Sequence, residues 1–219
     1  MKTFIFYLIF LLTLPAIILA QFNGNIGRGD IVNGISSSIL NGDIIIVSGS
    51  TGADGYYPSL TNAVGAFNAI NAGSQTGKTI VVLIWGSSTS ETGTHSLNAG
   101  AWSTLTIYPK ITGLIVSGGG GGPYITLNGA DNVTIDGRLN GSGVTKTLTI
   151  SKIQFINSTV NDVIKYCSIA GDFSVSGTSS ATMDGEMTVG GDLTIKGGSN
   201  LSTTPASDLT VSGTLTILP

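Results

Sequence analysis

NVTIDG (132–137), KIQFIN (152–157), DFSVSG (172–177) and DLTIKG (192–197) begin 20 residues apart, and that interval decides the fold. A second series lies between them. It runs ITLNG from Ile125, LTISK from Leu148, CSIAG from Cys167, MTVGG from Met187 and DLTVSG from Asp208, at steps of about 20 to 22. Upstream the pattern continues as LIVSG from Leu114 and LTIYP from Leu105. Two strands per repeat are therefore expected. Each segment is an apolar, polar, apolar triplet followed by Gly, Asn or another turn residue. Period-two alternation sends the apolar pair to one face and the Thr or Ser to the other. A repeat too short to hold a helical crossover fits one coil of a solenoid, each strand pairing in parallel with its equivalent in the next coil. The expected core is two columns, Val133, Ile153, Phe173, Leu193 and Ile135, Phe155, Val175, Ile195. Gly and Asn between strands supply corners with left-handed backbone. The predicted class is all-β, a right-handed parallel β-helix with about 20–22 residues per coil.

Outside the coils, residues 59–71 are the one helical candidate. Leu60, Val64, Phe67 and Ile70 share a face, Ser59 follows Pro58 as a cap, and Gly73 lies beyond the end. A helix there is placed to cap the open first coil. Ile44 to Val47 and Thr79 to Trp85 read as buried strands, and 118–122, all glycine, as a flexible loop. Lys2, the apolar run to Leu19 and the small Ala20 read as a secretory signal. The expected division is a signal peptide at 1–20, N-terminal strands and capping helix at 21–78, and coils at 79–219. The end at Pro219 falls within the strand pattern, so the last coil is expected to offer an edge for self-association.

Composition narrows the function. Charged residues are 10% of the chain, against about 25% in ordinary domains. With a net charge of −3 and no Lys/Arg cluster, nothing suits a nucleic acid backbone. A single cysteine, Cys167, leaves stability to packing rather than to an internal disulfide. The 72–79 segment AGSQTGKT meets a loose phosphate-loop pattern, but a helix precedes it and a strand follows, the reverse of what phosphate binding at a helix N-terminus requires. No nucleotide and no cofactor are expected. Arg28, Gly29 and Asp30 spell an integrin-type tripeptide, and a solvated turn explains them as well. Sequons at Asn132, Asn140, Asn157 and Asn200 matter only where eukaryotic glycosylation operates.

YPSLTNAVGAFNAIN (57–71), ETGTHSLNAGAW (91–102), ITLNGADNVTIDG (125–137) and FINSTVNDVIKYCSI (155–169) together resemble the β-helix region of large surface proteins from bacteria with type IX secretion. The resemblance implies a pectin-lyase-like parallel β-helix in an extracellular, adhesin-like setting, mostly without a demonstrated activity. The chain departs from that pattern in ending without a sandwich-like sorting domain.

Pectin-lyase-like folds include lyases and hydrolases, whose chemistry needs paired carboxylates or a base. Asp131, Asp136 and Arg138, with Asp162, form the nearest cluster, yet they read as turn residues, and the NTD, DD, GHG and RIK signatures of polygalacturonases are missing. His95, the one histidine, sits in a polar loop. Asp172 and Asp192 begin equivalent strands and could share a cation, but two carboxylates are few for calcium and no metal site is assigned. The candidate ligand-binding face is the outward set Thr126, Thr149, Ser168, Thr188 and Thr210, accompanied by Thr134, Ser174 and Thr194. Such hydroxyls suit a glycan or an ice lattice, and also suit plain β-propensity. The expectation is a secreted or cell-surface adhesive protein whose partners are extracellular glycans or other surface proteins. Its alternatives are a polysaccharide lyase or hydrolase and, more weakly, ice binding.

Overall fold

The computed structural model describes residues 45–219 apart from Ser87 and Thr159. The signal-peptide reading, the Arg28 to Asp30 tripeptide and Ile44 lie outside the described residues. Strands β1 (Ile45–Ser48) and β2 (Gly55–Tyr57) precede one helix, α1 (Ala66–Ala72). Three strands per coil then follow. They are β3 (Thr79–Ile84), β4 (Ser88–Ser90) and β5 (Leu97–Asn98); β6 (Thr104–Pro109), β7 (Leu114–Ser117) and β8 (Ile125–Asn128); β9 (Val133–Asp136), β10 (Leu148–Ile150) and β11 (Ile153–Ile156). The last coils are β12 (Asp162–Lys165), β13 (Cys167–Ile169) and β14 (Phe173–Ser176); β15 (Ser180–Asp184), β16 (Glu186–Val189) and β17 (Leu193–Ile195); β18 (Asn200–Thr203), β19 (Asp208–Val211) and β20 (Leu215–Ile217).

Every coil gives one strand to each of three sheets. Sheet A runs β18-β15-β12-β9-β6-β3-β1-β2, sheet B β19-β16-β13-β10-β7-β4 and sheet C β20-β17-β14-β11-β8-β5. Pairing between coils is parallel throughout, and only β1 pairs antiparallel, with β2 and β3. The chain is thus an all-β parallel solenoid with three strands per coil, where the repeat had suggested two. Coils begin at Thr79, Thr104, Val133, Asp162, Ser180 and Asn200, giving steps of 25, 29, 29, 18 and 20 residues. Only the last of these steps falls within the expected 20–22 residues. Insertions between β7 and β8 and between β9 and β10 lengthen the second and third coils.

Those insertions also correct the columns. Val133 and Ile135 belong to sheet A, where Val133 pairs with Leu105, and Ile135 with Ile107 and Ile164. The sheet C columns are Ile125, Ile153, Phe173, Leu193, Leu215 and Leu127, Phe155, Val175, Ile195, Ile217. The third coil's insertion makes the step from β9 to β11 equal the later coil length, so strands of different sheets resemble one series. The inward residues still fill the interior. Leu105, Ile107, Ile125, Phe155, Phe173 and Val175 are all fully buried. Phe155 and Phe173 meet edge to face at 5.5 Å, a geometry that adds about 0.5–1.5 kcal/mol beyond area burial.

Corners carry the expected left-handed residues. After sheet C the same corner is Gly129, Asn157, Gly177 and Gly197 in four successive coils, with φ between 54° and 71°. At Gly177, φ 71°, a Cβ would also sit 2.2 Å from Asn157 Oδ1, so a larger residue would be strained by its backbone and would displace the Asn157 side chain.

Helix α1 begins later than the sequence suggests. The buried Glu91 carboxylate accepts the N–H groups of Leu60 and Thr61 at 2.8 and 2.7 Å and the Thr61 hydroxyl at 2.6 Å. Those contacts hold the 59–63 segment as a turn, and Gly65 becomes the N-cap with no side-chain bond. Val64 is consequently 68% exposed, whereas Leu60, Phe67 and Ile70 are buried as expected. α1 packs on β1 and β5, at the end where β4 and β5 are edge strands. No helix of the described residues is long and apolar enough to cross a membrane.

Candidate functional site

Each sheet turns one face outward. On sheet B, Ser88, Ile115, Thr149, Ser168, Thr188 and Thr210 pair in register along six strands. Parallel strands lie about 4.8 Å apart, so the strip is roughly 24 Å long. Thr149, Ser168 and Thr188 are half-buried and Thr210 is exposed. Charges stand only along one border, where Glu186 pairs in register with Asp208 and meets Lys146 at 2.6 Å. Ile115, 43% exposed, interrupts the hydroxyls. The structure therefore unites four of the five candidate residues. Thr126 is not among them: it lies on sheet C beside Gln154, because ITLNG is a sheet C strand. Thr134 lies on sheet A, paired with Thr106 and Val163.

Sheet C carries a groove of about 330 Å³. Its floor is the outward column Gln154, Ser174 and Thr194. Lys152, Asp172 and Asp192 precede these strands and form one side, Lys196 stands on the other, and Gly121 and Pro123 form a lip. Two side chains bond the backbone of the glycine loop. Tyr124 Oη donates to Gly118 O at 2.6 Å and to Gly120 O, and Lys152 Nζ donates to Gly121 O at 3.2 Å. Sequence reading missed this groove. Its only signal was the recurrence of Lys152, Asp172 and Asp192 ahead of equivalent strands.

The carboxylates mostly bind backbone. Asp172 Oδ1 accepts the Asp192 N–H at 3.1 Å, and Asp192 Oδ1 accepts the Thr214 N–H at 2.8 Å, so each clamps the next coil. The backbone bond, then the nearby Lys152 ammonium at 3.3 Å, holds the Asp172 carboxyl below its ordinary range. Among the described residues no three His, Cys, Asp or Glu side chains group to hold a metal. Asp131 and Asp162 act reciprocally. Asp131 Oδ1 accepts from Val160 N and Asp162 Oδ1 from Val133 N, each at 3.0 Å. Burial, only partly offset by the Val133 bond, pushes the Asp162 carboxyl up to about 7, and its Oδ2 is buried without a partner.

Asp136 belongs to an ion-pair network. Arg138 grips it with Nε at 2.8 Å and Nη2 at 2.7 Å, Lys165 stands 3.6 Å away, and the guanidinium lies 4.8 Å over the Tyr166 ring. This network anchors the insertion after β9: Arg138 Nη1 also donates to Gly143 O, and Lys110 Nζ to Asn140 Oδ1. Asp136 and Asp162 therefore sit in different surroundings, one salt-bridged and one beside Asp131. Cys167 is buried, and desolvation drives its thiol far above the ordinary range, away from nucleophilic chemistry. The His95 backbone N–H donates to Thr61 O, and its ring makes no hydrogen bond among the described residues. In the 72–79 segment the Gly77 and Lys78 N–H groups already bond Ala101 O and Gln75 O, and strand β3 follows.

The described residues form a parallel β-solenoid whose sheet B presents an outward hydroxyl column and whose sheet C carries a polar groove. No known protein family, curated protein or solved structure matches this chain.

Proposed function

We propose that this chain is a secreted or cell-surface protein, a right-handed parallel β-helix of the pectin-lyase-like kind, that serves adhesion or surface structure and contacts glycans through sheet B. The apolar leader at 1–20 and the low charge support the location. The observation that carries the reading is the in-register ladder Thr149, Ser168, Thr188 and Thr210. None of these hydroxyls bonds another side chain among the described residues, so all can exchange hydrogen bonds with sugar hydroxyls arrayed at a matching interval. A flat strip suits an ordered, insoluble polysaccharide better than a ligand that must be enclosed.

Retention of the purified protein on insoluble glycans such as cellulose, chitin and xylan tests this. Retention that Ser168→Tyr together with Thr188→Tyr abolishes is expected. Equal retention of that variant, or ice-crystal shaping without any glycan retention, would sink the reading.

A further inference from the structure

We infer that the sheet C groove is a second, separate binding site, for a short segment of a neutral oligosaccharide. It shares with the proposed function only a glycan as ligand. The floor groups Gln154, Ser174 and Thr194 make no side-chain hydrogen bond among the described residues, and neither does the Lys196 ammonium. Asp192 keeps one carboxylate oxygen after clamping Thr214. The groove thus collects open donors and acceptors side by side, the mixture that a vicinal diol satisfies by donating through one hydroxyl and accepting through the next.

Charge decides against an acidic ligand. Lys152 is already paired with Asp172 at 3.3 Å, and the remaining Lys196 faces the groove together with Asp192, so the lining is electrically balanced. A uronate would meet Asp192 without a dedicated cation, whereas an uncharged sugar incurs no such repulsion. Size follows from the coils: the floor spans two strand spacings, about 10 Å, enough for roughly two pyranose rings in an open cleft. Tyr124 and Lys152 tie the glycine loop to the lip through side-chain bonds to its carbonyls, so the chain itself sets the lip's position.

Calorimetric titration of the full chain with cellohexaose, xylohexaose, mannohexaose and oligogalacturonate tests the site. At least one neutral hexaose is expected to bind, with affinity little changed by salt. Ser174→Tyr, and separately Thr194→Tyr, should weaken it by about tenfold or more, each variant checked for unchanged circular dichroism. Ser168→Tyr on sheet B should leave it alone. Binding of oligogalacturonate only, of no hexaose, or of a hexaose insensitive to both groove variants overturns the inference. Hexaose binding lost through Ser168→Tyr also overturns it while leaving the sheet B reading standing. Groove-dependent binding without retention on insoluble glycans does the reverse.

Discussion

Asp162 shows how one residue makes this fold sensitive to pH. Its Oδ1 is needed by the Val133 N–H, but its Oδ2 is buried without a partner and Asp131 lies on the adjacent coil. Burial lifts its carboxyl to about 7, against an ordinary value of about 3.9 in the unfolded chain. The folded state therefore binds the proton more tightly. The associated stability is fully present below about pH 4 and is lost as pH rises through about 7. Asp172 acts in the opposite sense. Its carboxyl is lowered by the Asp192 N–H and Lys152, so its contribution holds at neutral pH and fades on acidification. Asp162→Asn keeps the acceptor for Val133 and removes the buried charge. It should raise the melting temperature at about pH 8 clearly more than at about pH 4. Equal shifts at both pH values, followed by calorimetry, would show that Asp162 is not the group responsible.

At the level of the strand, the register makes a prediction of its own. Phe155 and Phe173 touch across adjacent coils of sheet C, whereas Val133 stands in sheet A. A double-mutant cycle of Phe155→Leu and Phe173→Leu should show a coupling of about 0.5–1.5 kcal/mol. Val133→Ala with Phe173→Leu should add within about 0.5 kcal/mol. Denaturant unfolding measures both, and the opposite ranking would restore the two-column core. The triplets were legible because period two survives in every strand. The division into three sheets was not, because the insertion after β9 shifts the phase and because β12 and β15 carry Asp162 and Ala181 in the column that Val133 opens, where bulky apolar residues would have marked a third series. The start of α1 was hidden for a related reason. Glu91, about 30 residues away, captures the N–H groups that helix geometry would otherwise leave for a cap. Of the candidate site, four hydroxyls were readable as a column, while the groove depends on a loop folded back by Tyr124, a contact with no signature in local sequence.

Across the whole stack, the two ends differ. At the first coil, Leu60, Phe67 and Ile70 are buried over the core and α1 lies on β1 and β5. At the other, β18, β19 and β20 are the outermost strands of their sheets, and the columns end in Leu215 and Ile217, 55% and 70% exposed. Apolar column ends beside unpaired strand edges favour pairing with another chain. For a sample of residues 1–219, pairing of β18, β19 and β20 with the same edges of a second copy would be isologous and so would stop at a dimer. Sedimentation equilibrium should then give a concentration-dependent monomer and dimer, with no larger species. Leu215→Lys with Ile217→Lys places ammonium groups at both column ends and should shift the population to monomer while the melting temperature changes little, since both side chains are exposed already. A wild-type chain that stays monomeric at every concentration, or a double variant that dimerises as well as it, would rule out association through this edge.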